Sequence, residues 1–576
     1  MDRVLAAIKY IINLCKKTFK KQPDDRIENE DLFIPIKTLI RHFKFECKDD
    51  WYPDTLLYKD YFKSQNLKKL LLNHINNPSS FDTQYRDLYN LPKKGFTMRY
   101  ALETPFHDRF IYHALVSQLI PVYDKIISPR ILSHRYSSVD GKPQKYLYKH
   151  PIEQWRSFEE YVRDSLEPTP PETNYKVLLE TDLVNYFENI RIDDLIKILR
   201  DKSSSINILQ NESIVIHSAI DSLEKLLPQW SFHQENGLPQ NRDASSFLAN
   251  ILMNEIDKEM ISIKKYDYYR YMDDIKIACE DEFTARQALK DLIILLRPFG
   301  LNVNSSKTKI LSKGDTEYDE FMTGGSRELE RLDSMWKSKS LPVIKRSFPH
   351  LKSFTLDLIK NQRTQDRSFR FCIKRLEILA LCKDIEVPHG YLDGITDIII
   401  DEIITQPYTS DQFIRYLKAV ELTDPHFIKL KTILLNKKNW VYGWQIFLLW
   451  QLFVYKSYSD NDIKNLALET IENKQSHPSI LSGAALYIGA IGNENDKIIL
   501  SKNFKHIENY LTQRNALIAL QDLNYHDHIA DNVAPYVNKA LMGTYRNIKK
   551  DFPNIYFMEL EPISYKSIYN EFSHYE

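Results

Sequence analysis

The chain has 576 residues, enough for three or four domains each with its own buried core. Hydrophobic residues make up 43% and charged residues 27%, with 14 glycines, which excludes a fibrous or disordered chain and favours a helix-rich globular one. The 78 basic residues balance the 78 acidic ones, so any phosphate-binding groove must come from local clusters of Lys and Arg.

The five cysteines (Cys15, Cys47, Cys279, Cys372, Cys382) lie far apart without CxxC pairing. That spacing argues against a zinc finger or a disulfide framework and for a reducing cytoplasm. The apolar run Leu5 to Leu14 is interrupted by Lys9 and lacks a small-residue cleavage site, so it reads as an amphipathic helix. Gln445 to Tyr455 is apolar but holds about half the residues that a membrane-spanning helix needs. No membrane segment is expected.

Residues 1–90 read as an N-terminal helical extension with basic patches such as Lys68-Lys69, and residues 91–330 as an α+β domain. Pro168, Pro170 and Pro171 interrupt any helix and hand the chain to a strand at Lys176 to Leu183. Beyond about 330 strand signals fade. Phe369, Cys372, Ile373, Leu376 and Leu379 recur at helical spacing, and similar stripes run on through residues 331–576. A similarity between the stretches starting at Ala485 and Ala516 points to stacked helix pairs, with an irregular bundle as the alternative.

The sharpest chemical signal is Tyr271-Met272-Asp273-Asp274, flanked by Tyr268 to Arg270 and by Ile275, Ile277 and Ala278. Aromatic and aliphatic residues form the two strands of a hairpin and leave paired carboxylates at its turn, suited to a hard divalent cation. Upstream, Val177 to Asp182 is an apolar strand that ends in a third acid. Two-metal phosphoryl transfer needs such a set, one ion activating the attacking hydroxyl and the other stabilising the departing pyrophosphate.

Between the two segments, Gly237-Leu238-Pro239-Gln240 makes a turn, and Leu248, Leu252 and Ile256 form the stripe of a following helix. After the hairpin, Gly300 to Asn304 leads to Ser306-Lys307-Thr308-Lys309, where a lysine suits triphosphate or pyrophosphate oxygens.

These four segments, in this order, resemble the reverse-transcriptase family over roughly residues 95 to 325. Asp182 to Phe187 resembles motif A, Gly237 to Asn250 motif B, Tyr271 to Asp274 the YxDD of motif C, and Gly300 to Lys309 motif D. Arg99, Pro105 and Asp108-Arg109 resemble the fingers motif, and Ser133 to Tyr136 the segment after it.

The resemblance implies a right-hand polymerase of fingers and palm, catalytic Asp182, Asp273 and Asp274, and two Mg2+ ions (or Mn2+) held by these acids and Leu183. It implies nucleotide contacts from Arg99, Phe187, Gln240 and Lys307. Phe187 falls at the position of an aromatic gate against the 2′-hydroxyl. Asn241-Arg242-Asp243 departs from the glycine and Ser-Pro pair that follow Leu-Pro-Gln in most of the family, which bears on template handling.

A palm followed by a long helical half with a HEAT-like repeat resembles the bacterial abortive-infection and defence-associated reverse transcriptases. The implied function is RNA-directed or template-independent DNA synthesis against phage, in the bacterial cytoplasm. The implied partners are dNTPs, a DNA product, an RNA template or small non-coding RNA, and further copies of the chain. An inactive nucleic-acid-binding scaffold and a retron or mobile-element enzyme are the alternatives. Priming from a protein tyrosine is a further implication, with Tyr10, Tyr52, Tyr58, Tyr565, Tyr569 and Tyr575 as candidates near the chain ends.

Overall fold

A computed structural model describes residues 27–80, 86–167, 175–206, 210–231, 235–324, 327–382, 384–551 and 564–566. The expected helix at Leu5 to Leu14, the proline linker, and Tyr10, Tyr569 and Tyr575 lie outside them.

A four-stranded antiparallel sheet forms the centre of the first half. Strand β5 (Val177–Thr181) lies between β7 (Asp274–Cys279) and β8 (Lys309–Ser312), and β6 (Tyr266–Tyr271) occupies one edge. The uninterrupted apolar run of β5 follows from that central position, because both of its faces are covered. Its C-terminal end lies beside the β6–β7 turn, since Thr181 pairs with Ile275.

Two hairpins stand apart from this sheet. Strands β1 (Asp87–Pro92) and β2 (Met98–Glu103) pair from Asp87↔Glu103 to Pro92↔Met98. Strands β3 (Tyr136–Val139) and β4 (Lys142–Tyr148) form the second. The helices Phe106–Tyr123 and Asp243–Ser262 are buried almost all round, and residues from both belong to the apolar core that also packs β5, β6 and β7.

Among the described residues, 327–551 contain helices and no strand, as the sequence predicts. The helices form two layers. Arg367–Leu381, Ser410–Ala419, Gly443–Tyr455, Pro478–Ile491 and Tyr510–Ala519 pack side by side in one layer. Leu341–Lys360, Asp393–Glu402, Asp424–Leu435, Asn461–Glu472 and Glu494–Asn503 follow one another in the second.

Residues 27–90 are shared between the two halves. Leu39, Phe43, Leu67 and Leu71 enter the core of the sheet half, whereas Tyr52, Leu56 and Tyr89 join that of the helical half. Buried Arg514 seals the junction, with Nη2 donating to Asp54 Oδ1 at 3.0 Å and to Asp60 Oδ1 at 2.9 Å. Trp444 Nε1 adds a bond to the Trp51 carbonyl at 2.6 Å. No helix among the described residues is long and apolar enough to cross a membrane.

Candidate active site

The expected hairpin is present, with Tyr271 paired to Asp274 across a turn of Met272 and Asp273. Asp274 opens β7, so the turn itself carries one of the two acids. Met272 supplies the left-handed backbone there, with φ of +57°, a conformation rare for a residue of its kind.

A polar network under the turn holds that backbone in place. The Met272 carbonyl accepts from Arg270 Nη1 at 2.8 Å, and its N–H donates to Ser133 Oγ at 3.2 Å. Arg270 also donates to Asn250 Oδ1 at 2.9 Å, and Asn250 Nδ2 donates to the Ser133 carbonyl at 2.8 Å.

Asp182 follows β5 directly and is buried. The segment bearing Lys307 is pinned alongside it: Val184 N–H donates to the Asn302 carbonyl at 2.9 Å, and Asn304 N–H to the Asp182 carbonyl at 2.8 Å. Leu183, itself buried, bridges to Val303. Lys307 thereby brings its Nζ into a hydrogen-bonded ion pair with Asp182 Oδ2. Burial works against the ammonium, but the bond and charge of Asp182 outweigh it and raise the lysine above its usual range.

The three acids share one electrostatic field. Burial pushes the Asp273 carboxyl up, and the negative charge of Asp182 adds to the effect. Asp274 rises to about 7, from burial first and Asp273 second.

Asp182 Oδ1 is a buried oxygen with no hydrogen-bond partner. Among the described residues no three His, Cys, Asp or Glu side chains form a group that could hold a metal ion as they stand. An orphaned carboxylate oxygen beside two raised carboxyls nevertheless fits a divalent cation, whose charge would relieve both. Asp182, Asp273 and Asp274 are the residues that would hold it.

Basic groups rim the acids. Arg99 is partly buried on β2; burial lowers its pKa, against the opposing charges of Asp273, Asp411 and Glu188. Lys93, just before the hairpin tip, is lowered by burial and by the neighbouring charges of Arg99 and Lys307. The helical half thus brings Asp411 into the field of this cleft.

The segments that carry Phe187 and Gln240 are joined through the backbone. Leu238 N–H donates to the Phe187 carbonyl at 2.9 Å, and Gly237 N–H to the Ile190 carbonyl at 2.8 Å with a glycine φ of +100°. Gln240 Nε2 donates to Glu188 Oε1 at 3.0 Å. The Tyr271 hydroxyl points away from the acids to the Pro151 carbonyl, at 3.2 Å.

Sequence reasoning missed Lys93, Glu188, Asp411 and the supports Asn250, Asp257 and Arg270. A signal for two of the supports was available. Asn250 and Asp257 stand seven residues apart on the helix that carries the Leu248, Leu252 and Ile256 stripe, the spacing of one buried face that needs a polar partner.

Comparison with known proteins bears on the same segment. Residues 107–351 match the family model of reverse transcriptase (RNA-dependent DNA polymerase). The matched segment contains β5 to β8, Asp182, Asp273, Asp274, Gln240 and Lys307, while Arg99 and the β1–β2 hairpin precede it.

No match was found among curated proteins. One similar solved structure is telomerase from Candida albicans in complex with a TWJ fragment of telomeric RNA, at 12% identity and a TM-score of 0.31 over 66% of this chain. The chain spans 64% of that protein, less than two thirds of its length.

Proposed function

We propose that the chain is a DNA polymerase of the reverse-transcriptase type, acting by two-metal nucleotidyl transfer. The observation that carries the reading is the meeting of Asp182, at the end of β5, with Asp273 and Asp274 at the β6–β7 turn, under a rim of Lys93, Arg99 and Lys307.

In this reading Arg99 and Lys93 take the triphosphate, Gln240 and Phe187 form the wall beside the sugar and base, and Lys307 exchanges Asp182 for phosphate oxygens. Bound Mg2+ or Mn2+ supplies acidification of the attacking hydroxyl and charge neutralisation at the departing pyrophosphate.

The finer reading is synthesis in anti-phage defence in the bacterial cytoplasm, with or without an RNA template. The two-layered helical half, read as a HEAT-like solenoid, serves as an assembly or RNA-holding surface. Of the tyrosines considered as primers, Tyr52, Tyr58 and Tyr565 are buried in the packed cores. Label from dNTP that stays on the protein after nuclease treatment tests protein priming. Phage plating with and without intact acids tests defence.

The main test is dNTP incorporation by the purified chain and by the double variant Asp273→Asn, Asp274→Asn. The variant is expected to keep its circular dichroism and lose incorporation. Synthesis at the wild-type rate by the variant overturns the assignment. A wild-type chain that binds nucleic acid without incorporating dNTP favours the scaffold reading instead.

A further inference from the structure

The residues that depart from the family pattern after Gln240 are tied into the structure through both of their flanks. Asn241 has a left-handed backbone (φ +55°), and its Nδ2 donates to the Asp49 carbonyl at 2.8 Å. Asp243 receives His42 Nε2 at 2.7 Å, and its own N–H donates to Glu46 Oε2 at 3.3 Å.

Between them, the buried Arg242 guanidinium reaches Glu103 Oε2 through Nη2 at 3.2 Å and Asp50 Oδ1 through Nη1 at 3.4 Å. Arg109 takes the same Asp50 at 2.6 Å and Glu46 at 3.3 Å.

Glu103 is the last residue of β2, the strand that carries Arg99. Residues four apart on a strand share a face, so Glu103 and Arg99 project from the same side of the hairpin. Arg242 immediately follows Asn241 and Gln240 in the chain. One guanidinium thus joins the strand of one nucleotide-facing group to the turn of another.

Buried ion pairs contribute little net stability relative to well-packed apolar groups, and their best-attested use is to fix register.

We propose that Arg242 is a positioning residue that locks the Gln240 turn to the Arg99 strand through Glu103, with Asp50 as the shared anchor. Its consequence for nucleotide binding rests on the polymerase reading; the mechanical coupling does not. A glycine at position 241 would leave the turn to find its position when substrate arrives. In this chain the position is set beforehand by residues 46–50 and 103.

The test uses the full chain with Arg242→Gln, Glu103→Gln and both together. Hydrogen exchange is followed over residues 98–103 and 237–243, and KM and kcat are measured for dNTP. In Arg242→Gln, exchange should rise in both segments together, and KM should rise about tenfold while kcat stays within about threefold.

Glu103→Gln should do the same, and the double variant should be no worse than Arg242→Gln alone. Arg242→Lys, which keeps the charge but cannot span both carboxylates, should give a smaller change in the same sense and serves if Arg242→Gln does not fold.

Faster exchange in 237–243 alone, additive effects, or a KM unchanged in a folded variant overturns the proposal. A wild-type chain that incorporates no dNTP overturns the polymerase reading instead, and the exchange result then decides the coupling by itself.

Discussion

Arg270 and Asp257 face each other as a two-point ion pair with no solvent exposure, Nη2 to Oδ2 at 2.6 Å and Nε to Oδ1 at 2.8 Å. Asp257 lies on the helix Asp243–Ser262 and Arg270 on β6, so the pair ties the helix after the Gln240 turn to the strand before Asp273. The same guanidinium holds the Met272 carbonyl, which places the acidic turn under the control of a residue one strand-turn away.

Asp257→Asn should therefore do more than loosen the core. It leaves a buried guanidinium short of its counter-charge, at a cost of about 3–5 kcal/mol. Urea denaturation is the measurement, and a loss below about 1 kcal/mol would show that the guanidinium finds another partner. Incorporation measured well below the melting temperature should fall too, because Arg270, the donor that fixes the Met272 carbonyl, loses the carboxylate that anchors it.

The junction between the halves offers a second test with a pH signature. Arg514 is the buried partner of Asp54 and Asp60. Burial pushes Asp60 up, but the charge and hydrogen bonds of Arg514 prevail and hold it below its usual 3.8. Its contribution is thus complete above that value and is lost only as the pH falls through the lower folded-state value.

Arg514→Met removes this protection, leaving two buried carboxylates whose burial now favours the proton. The variant should lose about 3–5 kcal/mol at pH 7.5 and a smaller amount at pH 5, where protonation relieves the unpaired charges. Thermal unfolding at the two pH values checks it, and a deficit that grows on acidification contradicts it.

Much of the candidate site was legible in the sequence because its parts are local. A strand ending in Asp182, a hairpin with acids at its turn and a Gly-Pro turn each leave a short-range pattern, and all three formed where expected. The division of residues 27–90 between two cores was not legible, because Leu39 and Tyr52 are both ordinary apolar residues and only long-range packing separates them.

The two-layered order of the helical half was equally hidden. Its contacts join each helix to the next but one, a relationship that amphipathic periodicity within one helix does not record. Arg242 read as a departure from a motif because its partners, Asp50 and Glu103, lie more than a hundred residues away in the chain.

Asp274 supplies a third prediction. Its carboxyl rises to about 7 from a usual 3.8, so between those values the folded chain holds a proton that the unfolded chain has released. Stability should accordingly fall as the pH rises from about 4 to 7 and level off above, the raised group acting against the fold once it must ionise. In buffer free of divalent cations, Asp274→Asn should be more stable than wild type at pH 8, with the advantage shrinking toward pH 5. Equal melting curves at pH 8 would mean that the field of Asp273 is already relieved.

Phe187 tests the proposed nucleotide pocket most directly. Its ring lies 5.3 Å from that of Tyr186 and packs partly against the main core, and its carbonyl is fixed by Leu238 N–H. The ring therefore has little freedom to withdraw, and a sugar bound between Arg99 and Gln240 would meet it as a wall. A wall of this kind rejects a 2′-hydroxyl by volume, an effect worth roughly 10- to 200-fold for a group of that size. Phe187→Ala opens the wall without touching Asp182 or the β6–β7 turn. The ratio of kcat/KM for dNTP over NTP should fall by about tenfold or more, mainly because ribonucleotide use improves. Single-nucleotide incorporation with matched dNTP and NTP measures it. A ratio unchanged in a variant that still incorporates dNTP removes Phe187 from the pocket and leaves sugar selection to the Gln240 turn.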